Sequence, residues 1–244
     1  MGKQRKTKNI DLTVGNITSS LWKFAVPLML GNVLQQLYNL VDTWVVGHYI
    51  GDNALAAVGS SYTLMVFLTS VILGLCMGSG AAVSMDYGSG CADEMRRSIF
   101  LSFVLIAAIS LLLNVLVYVF IDPILALLRV PTDVVPLMKT YLLIIFAGIA
   151  ATFLYNYCAS VLRAIGNAVV PLLFLAVSAV LNVALDLCFV IVLRLGVGGA
   201  AFATVLAQFV SGIGILLYIL LRLNEELPKD LSEDEEAKAK KKAK

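Results

Sequence analysis

Six apolar stretches, each roughly 20 residues or longer, dominate the chain, near residues 20–47, 55–85, 98–121, 136–163, 170–194 and 200–222. Hydrocarbon offers no hydrogen bonds, so a spanning segment must satisfy its backbone internally, which a helix does. Short polar breaks separate the stretches: Gly51-Asp52-Asn53, Asp86–Arg97, Asp122–Pro136, Gly166–Pro171 and Gly196–Gly199. Composition agrees, because 60% of the chain is hydrophobic and 14% charged, against about 25% charged in an ordinary soluble domain. So few charges cannot cover a soluble globule of this size. The expected fold is an all-α integral membrane protein, a six-transmembrane-helix bundle over 20–222, with an N-terminal arm (1–19) and a charged tail (223–244).

Charge placement gives a direction. With the N-terminus in the cytoplasm, fifteen of the 18 lysines and arginines fall inside and only Arg129, Lys139 and Arg194 outside. Both termini are therefore expected to be cytoplasmic, in the plasma membrane. Residues Met1–Ser20 are polar and basic and do not resemble a cleaved signal. The tail from Asn224 carries an acidic block and then a lysine block, which reads as a solvated tail or, alternatively, as a segment attracted to anionic lipid head groups. The four cysteines form no CxxC pair, and a metal site or disulfide framework is not expected. His48, the lone histidine, reads as an interface residue.

Two carboxylates carry most of the functional information. Of 16 acidic residues, only Asp42 and Asp186 lie well inside apolar runs. A charge at helix centre costs about 2.5–3.5 kcal/mol on the insertion scale. Such residues turn toward protein or water and mark ion or substrate paths. Asn32, Gln35, Gln36, Asn39 and Asp42 occupy an arc of about 120° on the first helix. Ser178, Asn182 and Asp186 repeat every four residues on the fifth, and Thr204, Gln208 and Ser211 share a face of the sixth. Helix-packing hydrogen bonds explain a serine or a threonine; they explain two aspartates poorly.

Depth groups these residues. At about 1.5 Å per residue, Asp42, Asp186, Thr204 and Tyr141 all fall in the outer half of the bilayer. Asn156 falls nearer the cytoplasmic side. Two acids in one low-dielectric pocket can share a proton, or a hard cation such as Na⁺ held by oxygens of Asp42, Asn182, Asp186 and Thr204. H⁺ and Na⁺ both stay open. Pro27 removes a backbone hydrogen bond early in the first helix and is expected to bend it. Gly74, Gly78 and Gly80 are expected to form a small-residue packing face.

The segment "PLMLGNVLQQLYNLVDTWVVGHYIGDNALAAVG" (Pro27–Gly59) resembles the first helix and loop of the multidrug and toxic compound extrusion (MATE) family. "GLCMGSGAAVSMDYGSG" (Gly74–Gly90) is similar to the end of that family's second helix. "LRAIGNAVVP" (Leu162–Pro171) and "LNVALDLCFVIVLRLGVGGAAFATVLAQ" (Leu181–Gln208) strengthen the match. The resemblance implies a cation-coupled antiporter exporting amphipathic, often cationic compounds. It assigns the cation site to Asp42, Asn182, Asp186, Thr204 and Tyr141. Gln35, Asn39 and Asn156 are candidates for the substrate cavity. One departure stands out: the family has two six-helix lobes with the cavity between them, and this chain matches the N-terminal lobe alone. A fragment, a homodimer or a separate second lobe would reconcile the two.

The leading expectation is therefore an H⁺- or Na⁺-coupled exporter of organic cations, or half of one, needing no cofactor beyond the coupling ion. A lipid-linked oligosaccharide flippase of the same superfamily is the first alternative. A non-transporting membrane assembly subunit is the second. No nucleophile–base pair suggests an enzyme, and no feature suggests nucleic-acid binding.

Overall fold

The computed structural model describes residues 17–226. The arm and the tail expected from the sequence lie almost wholly outside those residues. Seven α-helices follow in order: α1 (Ile17–Tyr49), α2 (Asp52–Ser89), α3 (Ala92–Leu127), α4 (Val135–Ala147), α5 (Ile149–Ala164), α6 (Val169–Asp186) and α7 (Gly196–Glu226). A π-helical turn, Leu187–Val192, carries α6 onward to the turn before α7.

Four rods are long and apolar enough to cross a membrane: α2, α3, α6 with its π-helical continuation, and α7. The bent pair α4–α5 makes a fifth. Helix α1, 33 residues long, is not among these five, because its polar stripe lowers its hydropathy. In α3 only 22% of the most apolar window is buried within the protein. An apolar helix so little covered suits a lipid-facing position.

Helix α7 packs along α4, α5 and α6, and α2 packs along α3, α4 and α5. Helix α1 rests mainly on α6 and more lightly on α2. The largest buried cluster runs from Leu68, Ile72 and Cys76 of α2 to Phe146, Phe153 and Tyr157 of α4 and α5. A second joins Val45 and Val46 of α1 to Tyr141 and to Ala200 and Ala201 of α7. At one end of α1, His48 is exposed and stacks on Trp44, with centroids 5.2 Å apart. Tyr49 lies edge-on to both. The three rings form one aromatic group at that end of α1.

Three local features differ from the sequence expectation. The stretch 136–163 is not one straight helix, since α4 and α5 meet at Gly148 with a 47° bend. A bend frees carbonyls from the helical ladder, and buried carbonyls need donors. Helix α3 supplies two: Asn114 Nδ2 donates to Phe146 O at 2.6 Å, and the Tyr118 hydroxyl donates to Leu143 O at 2.7 Å. Asp122-Pro123, expected as a break, lies inside α3, which kinks at Phe120 (φ −106°, ψ 15°) and continues to Leu127. The expected Gly74/Gly78/Gly80 face reduces to Gly80. Space is open at Gly74 and Gly78, while a Cβ on Gly80 would meet Ser160 Oγ. Ser160 is drawn close by donating to Cys76 O across the α2–α5 contact, at 2.6 Å.

Gly148 is a tight joint as well. A Cβ there would lie 2.5 and 2.7 Å from the two Val205 methyl carbons of α7. Gly148→Ala should therefore destabilise the lobe by about 1–3 kcal/mol through overpacking. Val205→Ala in the same chain should recover much of that loss. Thermal denaturation of the detergent-solubilised single and double variants measures both effects.

Candidate functional site

The residues grouped by depth do meet. Asp42 of α1 and Asp186 of α6 are buried neighbours, and the Tyr141 hydroxyl of α4 lies within electrostatic reach of both. Asn182, one turn before Asp186, donates through Nδ2 to Thr204 Oγ1 of α7 at 3.1 Å. Four helices thus place one polar side chain or more at the same depth. Three of the five residues, Asp186, Asn182 and Tyr141, are at most 3% exposed, so they are desolvated rather than snorkelling to an interface. Among the described residues, Asp42 Oδ1, both Asp186 oxygens and Asn182 Oδ1 have no hydrogen-bond partner. Buried acceptors usually find partners, so four orphaned oxygens in one cluster leave room for a donor or a cation.

The local sequence explains the placement. Asp186 is the last residue of α6 before the backbone widens into the π-helical turn, and such turns often accompany functional sites. Asn182 and Asp186 are four residues apart and share a face. Leu195 N and Gly199 come close to Phe189 O of the π-helical turn. This contact brings the start of α7, and with it Thr204, against the end of α6.

A cavity of about 60 Å³ adjoins the cluster, with Asn182 and Thr204 in its wall. A few water molecules would fit in that volume. Gln35 and Tyr38 of α1, Thr152 and Asn156 of α5 and Gln208 of α7 are among its other polar lining residues. Thr152 donates to Gln208 Oε1, and the Tyr38 hydroxyl interacts with Gln35 and Gln208. A wider groove of about 540 Å³ lies beyond, bordered by Pro27, Asn32, Gln35, Asn156 and Arg163. Two of the three expected cavity residues, Gln35 and Asn156, line both spaces.

Asn39 does not. Its amide donates to Gln36 Oε1 at 3.2 Å and its carbonyl accepts from Thr43. Helical rotation turns it away from the position that Gln35 and Tyr38 occupy. Pro27 lies in α1, which continues as one helix to Tyr49. Sequence reasoning missed Tyr38, Thr152 and Arg163. Tyr38 sits four residues before Asp42, so its spacing carried a signal. A tyrosine in an apolar run, however, reads first as packing.

A protein-family model described as MatE matches residues 27–188. The chain belongs to the MatE family. Among its curated relatives, a probable multidrug resistance protein of Bacillus subtilis, YpnP, is 35% identical over 213 residues, 87% of this chain and 48% of that protein. The probable multidrug resistance protein NorM of Thermotoga maritima is 29% identical over 223 residues, 87% of this chain and 46% of that protein. The outward-facing structure of a multidrug resistance MATE family transporter superposes with a TM-score of 0.84 at 25% identity, covering 94% of this chain and 51% of that one. The bent form of the Vibrio cholerae MATE transporter VcmN gives a TM-score of 0.79 at 26% identity, covering 88% and 48%. This MatE chain thus spans about half the length of the relatives it matches. It is a multi-pass membrane protein of a multidrug transporter family.

The Asn182–Thr204 bond joins α6 to α7 beside the two acids. Thr204→Val should leave the buried Asn182 amide without its acceptor and cost about 1–3 kcal/mol. Thr204→Ser should cost less than half as much. Thermal unfolding in detergent tests the pair.

Proposed function

We propose that this MatE chain forms one lobe of a cation-coupled antiporter that exports amphipathic or cationic organic compounds, with H⁺ or Na⁺ as the coupling ion. One observation carries the reading: Asp42 and Asp186 are buried side by side, with carboxylate oxygens that lack partners. Two adjacent carboxylates in an apolar interior repel each other and have lost their hydration, so a neutralising cation stabilises them strongly. The donor set fits a proton or a hard cation, because every orphaned atom in the cluster is an oxygen. Asn182, Thr204 and Tyr141 contribute neutral oxygens around the acids.

Coupling needs the ion to favour one conformation of the lobe over another. Asp42 sits on α1, which touches the rest of the bundle mainly through α6 and contains Pro27. Loading the acids would tighten the α1–α6 contact. Unloading would loosen it, and Pro27, inside an α1 that is one continuous helix in this structure, is the joint at which α1 would then bend. Gln35 and Asn156, which line the small cavity beside the acids, are placed to meet the exported compound. A transporter of this class alternates access between two repeats, so a second six-helix lobe, in the same polypeptide or another, completes the machine. The names of the relatives, multidrug resistance proteins and a multidrug MATE transporter, support the substrate class.

Both chain ends are assigned to the cytoplasm by the lysine and arginine asymmetry. Cys91 and Cys188 are exposed, whereas Cys76 and Cys158 are buried. A membrane-impermeant maleimide should therefore label Cys91, between α2 and α3, in inside-out vesicles and not in intact cells. Labelling from the outside would reverse the orientation. For the coupling role, Asp186→Asn should abolish cation-driven dye efflux while leaving membrane insertion intact. The assay compares cells expressing the chain with and without a C-terminal lobe. Wild-type efflux in the variant would remove the role assigned to Asp186.

A further inference from the structure

Arg163 has no part in the cation cluster. It stands in the last turn of α5, where a cation interacts well with the helix dipole. That interaction does not require the side chain to turn inward. Arg96 shows the ordinary solution: it is exposed and lies 4.0 Å from Asp93. Arg163 is instead half-buried and lines the 540 Å³ groove. Among the described residues, no acidic one lines that groove. Among the described residues, the ion pairs found do not involve Arg163; its electrostatic neighbours are Tyr155 and Cys76.

A guanidinium drawn out of water without a carboxylate is an unmet demand for an anion, and its planar fork suits carboxylate and phosphate. The groove around it has two characters. Asn156, Ser160 and Arg163 recur at i, i+4 and i+7 on α5 and form a polar strip. Leu73 and Met77 of α2 and Leu172 of α6 form apolar walls. The volume falls within the range of small-molecule sites. One charged end and one greasy side describe an amphiphile.

We propose that this groove binds amphipathic organic anions, with a phosphate or carboxylate head on the Arg163 guanidinium and an apolar body along Leu73, Met77 and Leu172. The site goes beyond the cation-coupling reading and stands without it, because it uses none of the buried acids. It gives the lobe a positive end at the α5–α6 turn and a negative end at Asp42 and Asp186.

The test uses the full chain in phosphatidylcholine nanodiscs, with radiolabelled dodecyl phosphate as the probe. Binding should be saturable, and Arg163→Gln should weaken it roughly tenfold or more, the loss expected for a charge-assisted hydrogen bond. Arg163→Lys, which keeps the charge and loses the fork, should fall between. Binding of dodecyltrimethylammonium should not respond to Arg163→Gln. Equal dodecyl phosphate binding by wild type and Arg163→Gln overturns the proposal. Met77→Trp narrows the groove from an exposed position and serves as the second variant. It should lower dodecyl phosphate binding with unchanged elution, and unchanged binding would overturn the placement. Phosphatidic acid added to the nanodiscs identifies the source. Displacement of the probe supports a membrane lipid as occupant, and retention supports a free amphiphile.

Discussion

The polar residues where α1 meets α6 and α7 are organised around one electrostatic cost. Asp42 and Asp186 are both buried, at 7% and 0% exposure, in a bundle whose outer surface is hydrocarbon-like. A single unpaired charge there would be expensive, and two adjacent ones more so. The helices respond by bringing neutral oxygens to the same depth: Asn182 and Thr204 joined to each other, and Tyr141 beside the acids. The contact between α1 and α6 is where the cost is concentrated. Whatever neutralises the pair therefore acts on the packing of α1.

The rest of the bundle is built to hold that contact in place. The break at Gly148 lets α4 present Tyr141 to the acids while α5, after the bend, presents Thr152 and Asn156 to the cavity. A straight helix would change the angle between those groups. The bend persists because Asn114 and Tyr118 accept the burden of the freed carbonyls and because Gly148 lets α7 approach. Gly80 plays a similar part between α2 and α5, where Ser160 bridges to Cys76 O. Small residues serve membrane helices in this way because close approach, not water exclusion, drives their association.

Much of this was legible in one dimension. Apolar runs gave the spans, and helical spacing grouped Asn182 with Asp186 and Thr204 with Gln208. Counting rise per residue then put Asp42, Asp186, Thr204 and Tyr141 at one height. Less legible were features that depend on what lies across a helix contact. Pro123 looked like a stop, yet α3 absorbs it with a kink at Phe120. Gly74 and Gly78 looked like a packing face, yet nothing approaches them. Asn39 shared the polar arc with Gln35, yet it bonds along its own helix to Gln36. The 47° bend left only a glycine as its trace.

The sequence by itself determined the solvent, the helical class, the family likeness and the pair of misplaced acids. Hydropathy and charge spacing are local quantities, and lipid punishes every departure from them. Only the tertiary structure decided that the two acids touch, that Tyr38, Thr152 and Gln208 form one polar lining, and that Arg163 faces a groove without a carboxylate. Those facts depend on the rotation of each rod about its own axis relative to its neighbours. Side-chain packing sets that rotation, and no single segment carries it.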